Sequence, residues 1–175
     1  MARTITIFSS LWLTFGASAC ALGMLPEGDD AGDTRRGRLG DVGIGGAVVD
    51  LDLRVDPAID PDRVLVPPLI VQPYAENAIW HGLMHKIGDR KLTINVSREN
   101  GALHITVRDN GIGREASRAL NAMSARKHRS LGMSITKEVI ARSGPGAGVM
   151  VKDLKDSNDR PAGTEVHIRI PYRTS

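Results

Sequence analysis

Two polar clusters carry the residue types that nucleotide chemistry needs. The first is Glu76 and Asn77 within QPYAENAIWHG, and the second is Asp109 within DNGIG, where it is followed by Gly111 and Gly113. The amide oxygen of Asn77 is a neutral hard ligand, suited to a magnesium ion that bridges phosphate oxygens. Asp109 could accept a hydrogen bond from the exocyclic amine of adenine, and the glycines let backbone approach a flat base. DNGIG alone also fits an ordinary tight turn, so its surroundings decide between the two interpretations.

A third cluster stands at the start of a predicted helix and consists of Ser130, Leu131, Gly132 and Met133. Backbone N–H groups at a helix start bind anions, which suits a phosphate tail. The basic stretch before it, which includes Lys127, fits a solvated loop and phosphate attraction equally well. Further on, Thr164 opens the last predicted strand, where its hydroxyl could brace Asp109 or a water on the base.

The elements that must position these clusters follow from hydrophobic periodicity. Apolar residues alternate with polar ones in five segments, which predict strands near residues 48–55, 92–96, 103–107, 149–151 and 166–170. Helical stretches are predicted from Pro67 to about Leu83, with Pro73 as an alternative start, over residues 114–124, and up to about Ser143. Asn100 and Gly101 are a hairpin turn signal. The pattern predicts an α/β fold, a two-layer sandwich whose mixed, largely antiparallel sheet carries about three helices on one face.

The chain divides into three parts by composition. Residues 1–25 are predicted to be a membrane-directed segment, because residues 7–25 carry no charge; a spanning helix, a signal peptide and a buried helix all fit this pattern. The arginines at positions 35, 36 and 38 outnumber Arg3, which places the downstream part on the cytoplasmic side of the membrane. Residues 26–47 are predicted to be a flexible linker, and residues 48–175 the folded domain. A net charge of +3 with scattered basic residues argues against nucleic acid as a partner.

Four blocks in a fixed order carry a family resemblance: QPYAENAIWHG, DNGIG, SLGMSITKE and GTEVHIRIP. They resemble the ATP-binding domain of the gyrase, heat-shock chaperone, histidine kinase and MutL superfamily, and VPPLIVQPYAENAIWHGL is most similar to LytS-type sensor histidine kinases. The resemblance covers about residues 48–172 and implies a Bergerat-type pocket for ATP and Mg²⁺.

Carried over motif by motif, the resemblance assigns each cluster a role. Asn77 would hold magnesium, Asp109 would receive the adenine amine, and Gly111 and Gly113 would shape the base pocket. Residues 114–131 would form a lid, Gly132 would meet the phosphates, and Thr164 would support Asp109.

The chain also departs from the superfamily pattern. Hydrolytic members place a glutamate general base one helical turn before the magnesium asparagine, where this chain has Pro73, so a kinase is favoured over an ATPase. Glu76, directly before Asn77, is a candidate catalytic residue together with Asn77 and His81. Many histidine kinases have a lysine where this chain has Trp80, so a basic phosphate contact is expected from His81 or from the lid.

The resemblance further implies phosphoryl transfer to a histidine on a dimerisation helix, and from there to a response regulator. The histidines of this chain all lie within or beside the predicted nucleotide domain, and none stands in an Asn-Pro-His-Phe context. The favoured hypothesis is therefore the catalytic ATP-binding part of a sensor histidine kinase. The alternatives are a kinase of the anti-sigma type that acts on a partner in trans, and a non-catalytic ATP-sensing interaction module.

Overall fold

The main structural feature is a six-stranded mixed sheet. The computed structural model describes residues 5–6, 36–44, 47–60, 62–123 and 131–175, and all structural statements refer to these. Their strands are β1 (Ile5–Thr6), β2 (Arg36–Ile44), β3 (Ala47–Val55), β4 (Leu65–Val66), β5 (Lys91–Glu99), β6 (Ala102–Asp109), β7 (Gly148–Lys155) and β8 (Pro161–Pro171). The sheet has the order β2-β3-β5-β6-β8-β7, with β3 and β5 parallel and every other pair antiparallel. A separate two-stranded sheet pairs β1 with β4.

Helices complete the second layer. Helix α1 (Gln72–Asn77) continues directly into a π-helical turn (Ala78–Leu83), and α2 (Gly113–Met123) and α3 (Leu131–Ala141) follow. The inward-facing residues of the strands, such as Ile94 and Ile105, form one core with Ile79 and Ile140 of the helical layer. The predicted α/β fold, with its mixed and largely antiparallel sheet, is confirmed.

The start of the first helix follows from its prolines. The helical stretch predicted from Pro67 begins instead at Gln72, so that Pro73 occupies the first turn, where its missing N–H costs nothing. The Gln72 amide donates to Glu76 Oε1 at 2.7 Å, one turn along the same face.

The hairpin between β5 and β6 also agrees with the sequence. Asn100 and Gly101 have φ values of 49° and 71°, the left-handed pair that a tight two-residue turn requires. The register set by this turn pairs Leu92 with Asp109, which places the aspartate at the far end of the hairpin.

The linker predicted over residues 26–47 is wrong for residues 36–44, which form the edge strand β2. This strand pairs with β3 through its backbone, with a register shift between Arg38 and Gly40. Its glycines blur the alternation of side chains on which strand prediction depends, although backbone pairing does not require that alternation. The predicted membrane-directed segment, residues 7–25, lies outside the described residues. Within those that are described, no helix is long and apolar enough to cross a membrane.

Candidate functional site

The site centres on a buried carboxylate at the end of β6. Asp109 is 4% exposed and pairs in register with Thr164, which is 9% exposed, at the start of β8. The backbone N–H of Gly111 donates to Asp109 Oδ1 at 2.8 Å. Burial raises the pKa of Asp109 from 3.8 to about 6, although the amides of Gly111 and Thr164 and the Lys86 ammonium act in the opposite direction. Above pH 6 this side chain is an acceptor-only group in an apolar setting, ready for an N–H donor.

Two glycines bring the helical layer against this carboxylate. A Cβ placed on Gly111 would lie 2.5 Å from the carbonyl carbon of Gly82, and one placed on Gly82 would lie 3.0 Å from Asp109 Oδ1. The Ile112 N–H donates to the Gly82 carbonyl at 3.3 Å. Gly82 lies inside the π-helical turn, one residue before its end. Such turns are frequent at functional sites, and this one lies directly on the Asp109 loop.

Two further glycines, one at the start of α2 and one in β8, lie in close contact beside Asp109. Gly113 has φ +78°, and a Cβ there would lie 2.9 Å from Pro161 Cβ. Gly163 has φ +125°, and a Cβ there would collide with the Asp109 carbonyl oxygen. Packing within the protein therefore already requires glycine at these positions. The predicted role of Gly111 and Gly113 against a bound base remains a prediction.

Asn110 ties the Asp109 loop to the segment between the helix and β5. Its N–H donates to Lys91 O at 3.2 Å, and its side-chain Oδ1 accepts from the Lys91 N–H at 2.8 Å. Its Nδ2 donates to Asp89 O at 3.2 Å, and its carbonyl accepts from Lys86 Nζ at 2.7 Å. Each backbone and side-chain polar group of Asn110 therefore contacts residues 86–91. Sequence reasoning missed Asn110, Lys86 and Gly82; the Asn within DNG was the available signal, but it indicates only a turn.

The predicted magnesium residue lies on α1, one segment before the Gly82 contact. Asn77 is half-buried at the end of α1, His81 is half-buried in the π-helical turn, and Glu76 is exposed, bonded to Gln72. Across the described residues, no group of three His, Cys, Asp or Glu side chains is arranged to hold a metal. A single amide oxygen nevertheless fits magnesium, which keeps most of its waters and takes further ligands from substrate phosphates.

The third cluster begins α3. Leu131 and Gly132 are its first two residues, and Met133 packs partly buried against the core. Of the predicted lid, residues 114–131, α2 covers residues 114–123 and α3 begins at Leu131, whereas residues 124–130, with Lys127 and Ser130, lie outside the described residues. Helix α2 is anchored at its start, where Arg114 Nε and Nη2 donate to the two Asp153 carboxylate oxygens at 2.6 Å each.

The structure thus brings Asp109 together with Gly111 and Thr164, and Gly82 lies against Asp109 and Gly111. Asn77 stands on the same continuous helix as Gly82. At this end of the sheet, a buried acceptor and closely approaching backbone lie against the helix that carries the amide side chain of Asn77. A planar ligand with an amino group and a charged tail would suit this arrangement.

The chain is similar to known proteins in sequence and in fold. The family model for histidine kinase-, DNA gyrase B-, and HSP90-like ATPases matches residues 68–174. Among curated proteins, YwpD of Bacillus subtilis (strain 168) is 30% identical over 100 residues, and the sensor protein LytS of Staphylococcus haemolyticus is 41% identical over 51 residues. The matched regions cover 51% and 29% of this chain, but only 36% of YwpD and 9% of LytS. Among solved structures, a mycobacterial sensor histidine kinase, MprB, aligns over 100% of both chains with a TM-score of 0.59 at 14% identity, which shows a shared fold.

Proposed function

Because the chain belongs to the histidine kinase-, DNA gyrase B-, and HSP90-like ATPase family, we propose that it is the ATP-binding catalytic domain of a LytS-type sensor histidine kinase. The observation that carries this proposal is the buried Asp109 carboxylate, enclosed by Gly82, Gly111 and Thr164. A carboxylate that is expensive to bury and is kept at a strand end is better explained by a ligand than by stability.

ATP would bind with its base at Asp109 and its phosphates toward the helical layer. The ionised carboxylate would accept a hydrogen bond from the exocyclic amine of adenine, while Gly111 would allow the loop to lie close to the base. Guanine presents a carbonyl oxygen at the equivalent position, which would face the carboxylate without a proton between them. Selectivity for adenine over guanine follows from that unpaired acceptor.

Asn77 would hold Mg²⁺ through its amide oxygen, and the ion would supply charge neutralisation at the phosphates. The start of α3, at Leu131 and Gly132, offers backbone N–H groups to the phosphate tail. Lys127 and Ser130 would extend this contact from the lid, and His81 would add a half-buried imidazole from the π-helical turn. Glu76 is exposed and bonded to Gln72, so we assign it a supporting role on the helix surface rather than a role as a base.

The proposed reaction is transfer of the γ-phosphoryl group from ATP to a histidine of a dimerisation helix in a partner, followed by transfer to a response regulator. Positioning and electrostatic stabilisation do most of the work in such transfers. The domain would act on the cytoplasmic side of the inner membrane, with residues 7–25 as its membrane-directed segment.

Calorimetric titration of the full chain with nucleotides tests the binding step. We expect ATP to bind in the presence of magnesium, GTP to bind at least about tenfold more weakly, and EDTA to weaken ATP binding. Equal affinity for ATP and GTP would contradict the adenine role of Asp109.

Radiolabelled ATP tests the transfer step. Incubation of the chain with the paired dimerisation helices of a LytS-type kinase should label the helices at histidine, as judged by acid-labile label. Label that is acid-stable and appears on another protein would favour a trans-acting kinase of the anti-sigma type. ATP binding without transfer to any partner would favour an ATP-sensing module.

A further inference from the structure

We propose that Lys86 and Asn110 are positioning residues of the nucleotide pocket: Asn110 fixes the loop that carries Asp109, and the Lys86 ammonium keeps the Asp109 carboxylate ionised for its ligand. The inference rests on the proposed function for the identity of the ligand, but not for the state of the carboxylate. Neither residue belongs to the helix or strand that carries the assigned binding residues.

The role of Asn110 follows from the hydrogen bonds of the loop. Four hydrogen bonds of 2.7 to 3.2 Å join Asn110 to residues 86, 89 and 91. The same segment is also held to the helix, because Arg90 Nε donates to the Leu83 carbonyl at 2.9 Å. Residues 86–91 therefore hold both the Asp109 loop and the end of the π-helical turn. They fix the two backbones that meet where Gly82 contacts Gly111.

The role of Lys86 follows from the position of its ammonium group. Its ammonium is part-buried and donates to the carbonyl of Asn110, the residue directly after Asp109. The positive charge therefore lies at the residue that follows Asp109, whose side chain has almost no contact with water, and it acts to lower the pKa of that carboxyl. An opposite charge in a poorly hydrated setting favours the ionised form far more than the same charge would at the surface.

The other charged groups near this end of the sheet are directed elsewhere. On β5, Lys91 Nζ lies 3.9 Å from the Asp50 carboxylate. On β6, Arg108 precedes Asp109 and therefore points to the opposite face of the sheet, where it lies 3.7 Å from Glu165. From β8 the facing residue is the neutral Thr164, and from the π-helical turn it is Gly82, with His81 beside it. On β7, Asp153 is paired with Arg114 of α2.

Replacement of the lysine separates a charge effect from a packing effect. We compare Lys86→Met, which removes the charge but keeps most of the apolar side chain, with Lys86→Arg, which keeps the charge. Lys152→Met, at an exposed lysine of β7, is the control. The carboxyl ¹³C signal of Asp109 is followed by NMR as a function of pH in the chain without nucleotide. We expect Lys86→Met to raise the pKa of Asp109, and the other two variants to leave it at the wild-type value.

The affinity for ATP is then measured at pH 6.0 and pH 8.5. We expect Lys86→Met to weaken binding by about threefold or more at pH 6.0, where part of Asp109 is protonated, and by much less at pH 8.5. An equal loss at both pH values, with an unchanged Asp109 titration, would overturn the charge role. Failure of the wild-type chain to bind ATP would refute the proposed function instead, while the titration of the nucleotide-free chain would still decide the role of Lys86.

Asn110→Ala tests the fixing of the loop, with Asn158→Ala in the exposed loop between β7 and β8 as its control. We expect Asn110→Ala to accelerate hydrogen exchange at the Gly111 and Lys91 amides by about tenfold or more, and to weaken ATP binding by the same factor at both pH values. Unchanged exchange at these two amides would remove Asn110 from this role.

Discussion

Replacement of Asp109 by Asn should make the protein more stable at neutral pH while it weakens the binding of ATP. The pKa of Asp109 is raised from 3.8 to about 6 in the folded protein. A group that holds its proton more tightly when folded contributes most to stability below its unfolded pKa, and this contribution is lost as the pH rises through its folded pKa. Ionised Asp109 therefore costs the fold about 3 kcal/mol at pH 8, relative to a pH below 3.8.

An asparagine removes this cost only in part. Its amide oxygen can still accept from the Gly111 N–H, which lies 2.8 Å from Oδ1 in the native protein, but its NH₂ group brings donors into a buried place. Leaving such a donor unsatisfied costs about 1 to 2 kcal/mol, so the net gain at pH 8 should be about 1 to 2 kcal/mol. For a chain of this size that gain corresponds to a rise in Tm of about 4 °C.

Thermal unfolding of both proteins at pH 8.0 and pH 4.5 provides the measurement. At pH 4.5 native Asp109 is largely protonated and carries only about 1 kcal/mol of this cost, which the unsatisfied amide donor of the variant offsets, so the variant should lose its advantage. At pH 8.0 the variant should bind ATP more weakly by about 1 to 3 kcal/mol, because its NH₂ group meets the adenine amine, donor against donor. A variant that is less stable than wild type at pH 8.0, or more stable by the same amount at both pH values, would refute this account of the carboxylate. Undiminished ATP affinity would refute its binding role.

Three further substitutions test the packing and the metal ligand. Gly111→Ala should destabilise the fold by about 2 kcal/mol or more in urea unfolding and abolish ATP binding, because its Cβ would lie 2.5 Å from the carbonyl carbon of Gly82. In the control Gly148→Ala, the added Cβ meets no atom within 4 Å, so this variant should have little effect. Tyr74→Phe should be neutral or stabilise the fold by about 1 kcal/mol in the same assay, because the buried Tyr74 hydroxyl has no hydrogen-bond partner among the described residues; a loss above 1 kcal/mol would show that it has one. Asn77→Ala should leave Tm within about 2 °C of wild type, because the side chain is only half-buried. It should also remove the magnesium dependence of ATP binding in calorimetry, and a dependence that persists would place the metal ligand elsewhere.

Sequence reasoning recovered the elements whose signal is local. The alternation of Leu92, Ile94 and Val96 gave β5, and all three side chains are buried in the core. The pair Asn100 and Gly101 gave the hairpin, since a two-residue turn with positive φ leaves few other choices. Edge strand β2 was missed, because a strand held by one neighbour through its backbone does not need an apolar face.

The site was recovered unevenly for a related reason. Asp109 and Thr164 stand in short motifs with recognisable chemistry, and the structure places them opposite each other on β6 and β8. The contact of Gly82 with Asp109 joins residues that are distant in sequence and depends on how a helix lies against a loop, which periodicity does not encode. The hydrogen bonds of Asn110 are equally invisible, since an Asn before Gly predicts a turn whatever its side chain contacts.

The residues that sequence reasoning missed explain how the buried carboxylate is tolerated. The helix contributes no Cβ at Gly82, so the carboxylate keeps its 2.8 Å bond from the Gly111 N–H. Lys86 offsets part of the cost of burial, and Asn110 keeps that charge beside the loop at 2.7 Å. A fold selected for stability alone would place an apolar or amide side chain at position 109, without the lysine and its supporting bonds. The protein therefore retains a cost of about 3 kcal/mol, which the proposed N–H donor of adenine would recover. For this reason we expect ATP binding and stability to change in opposite directions when Asp109 is replaced.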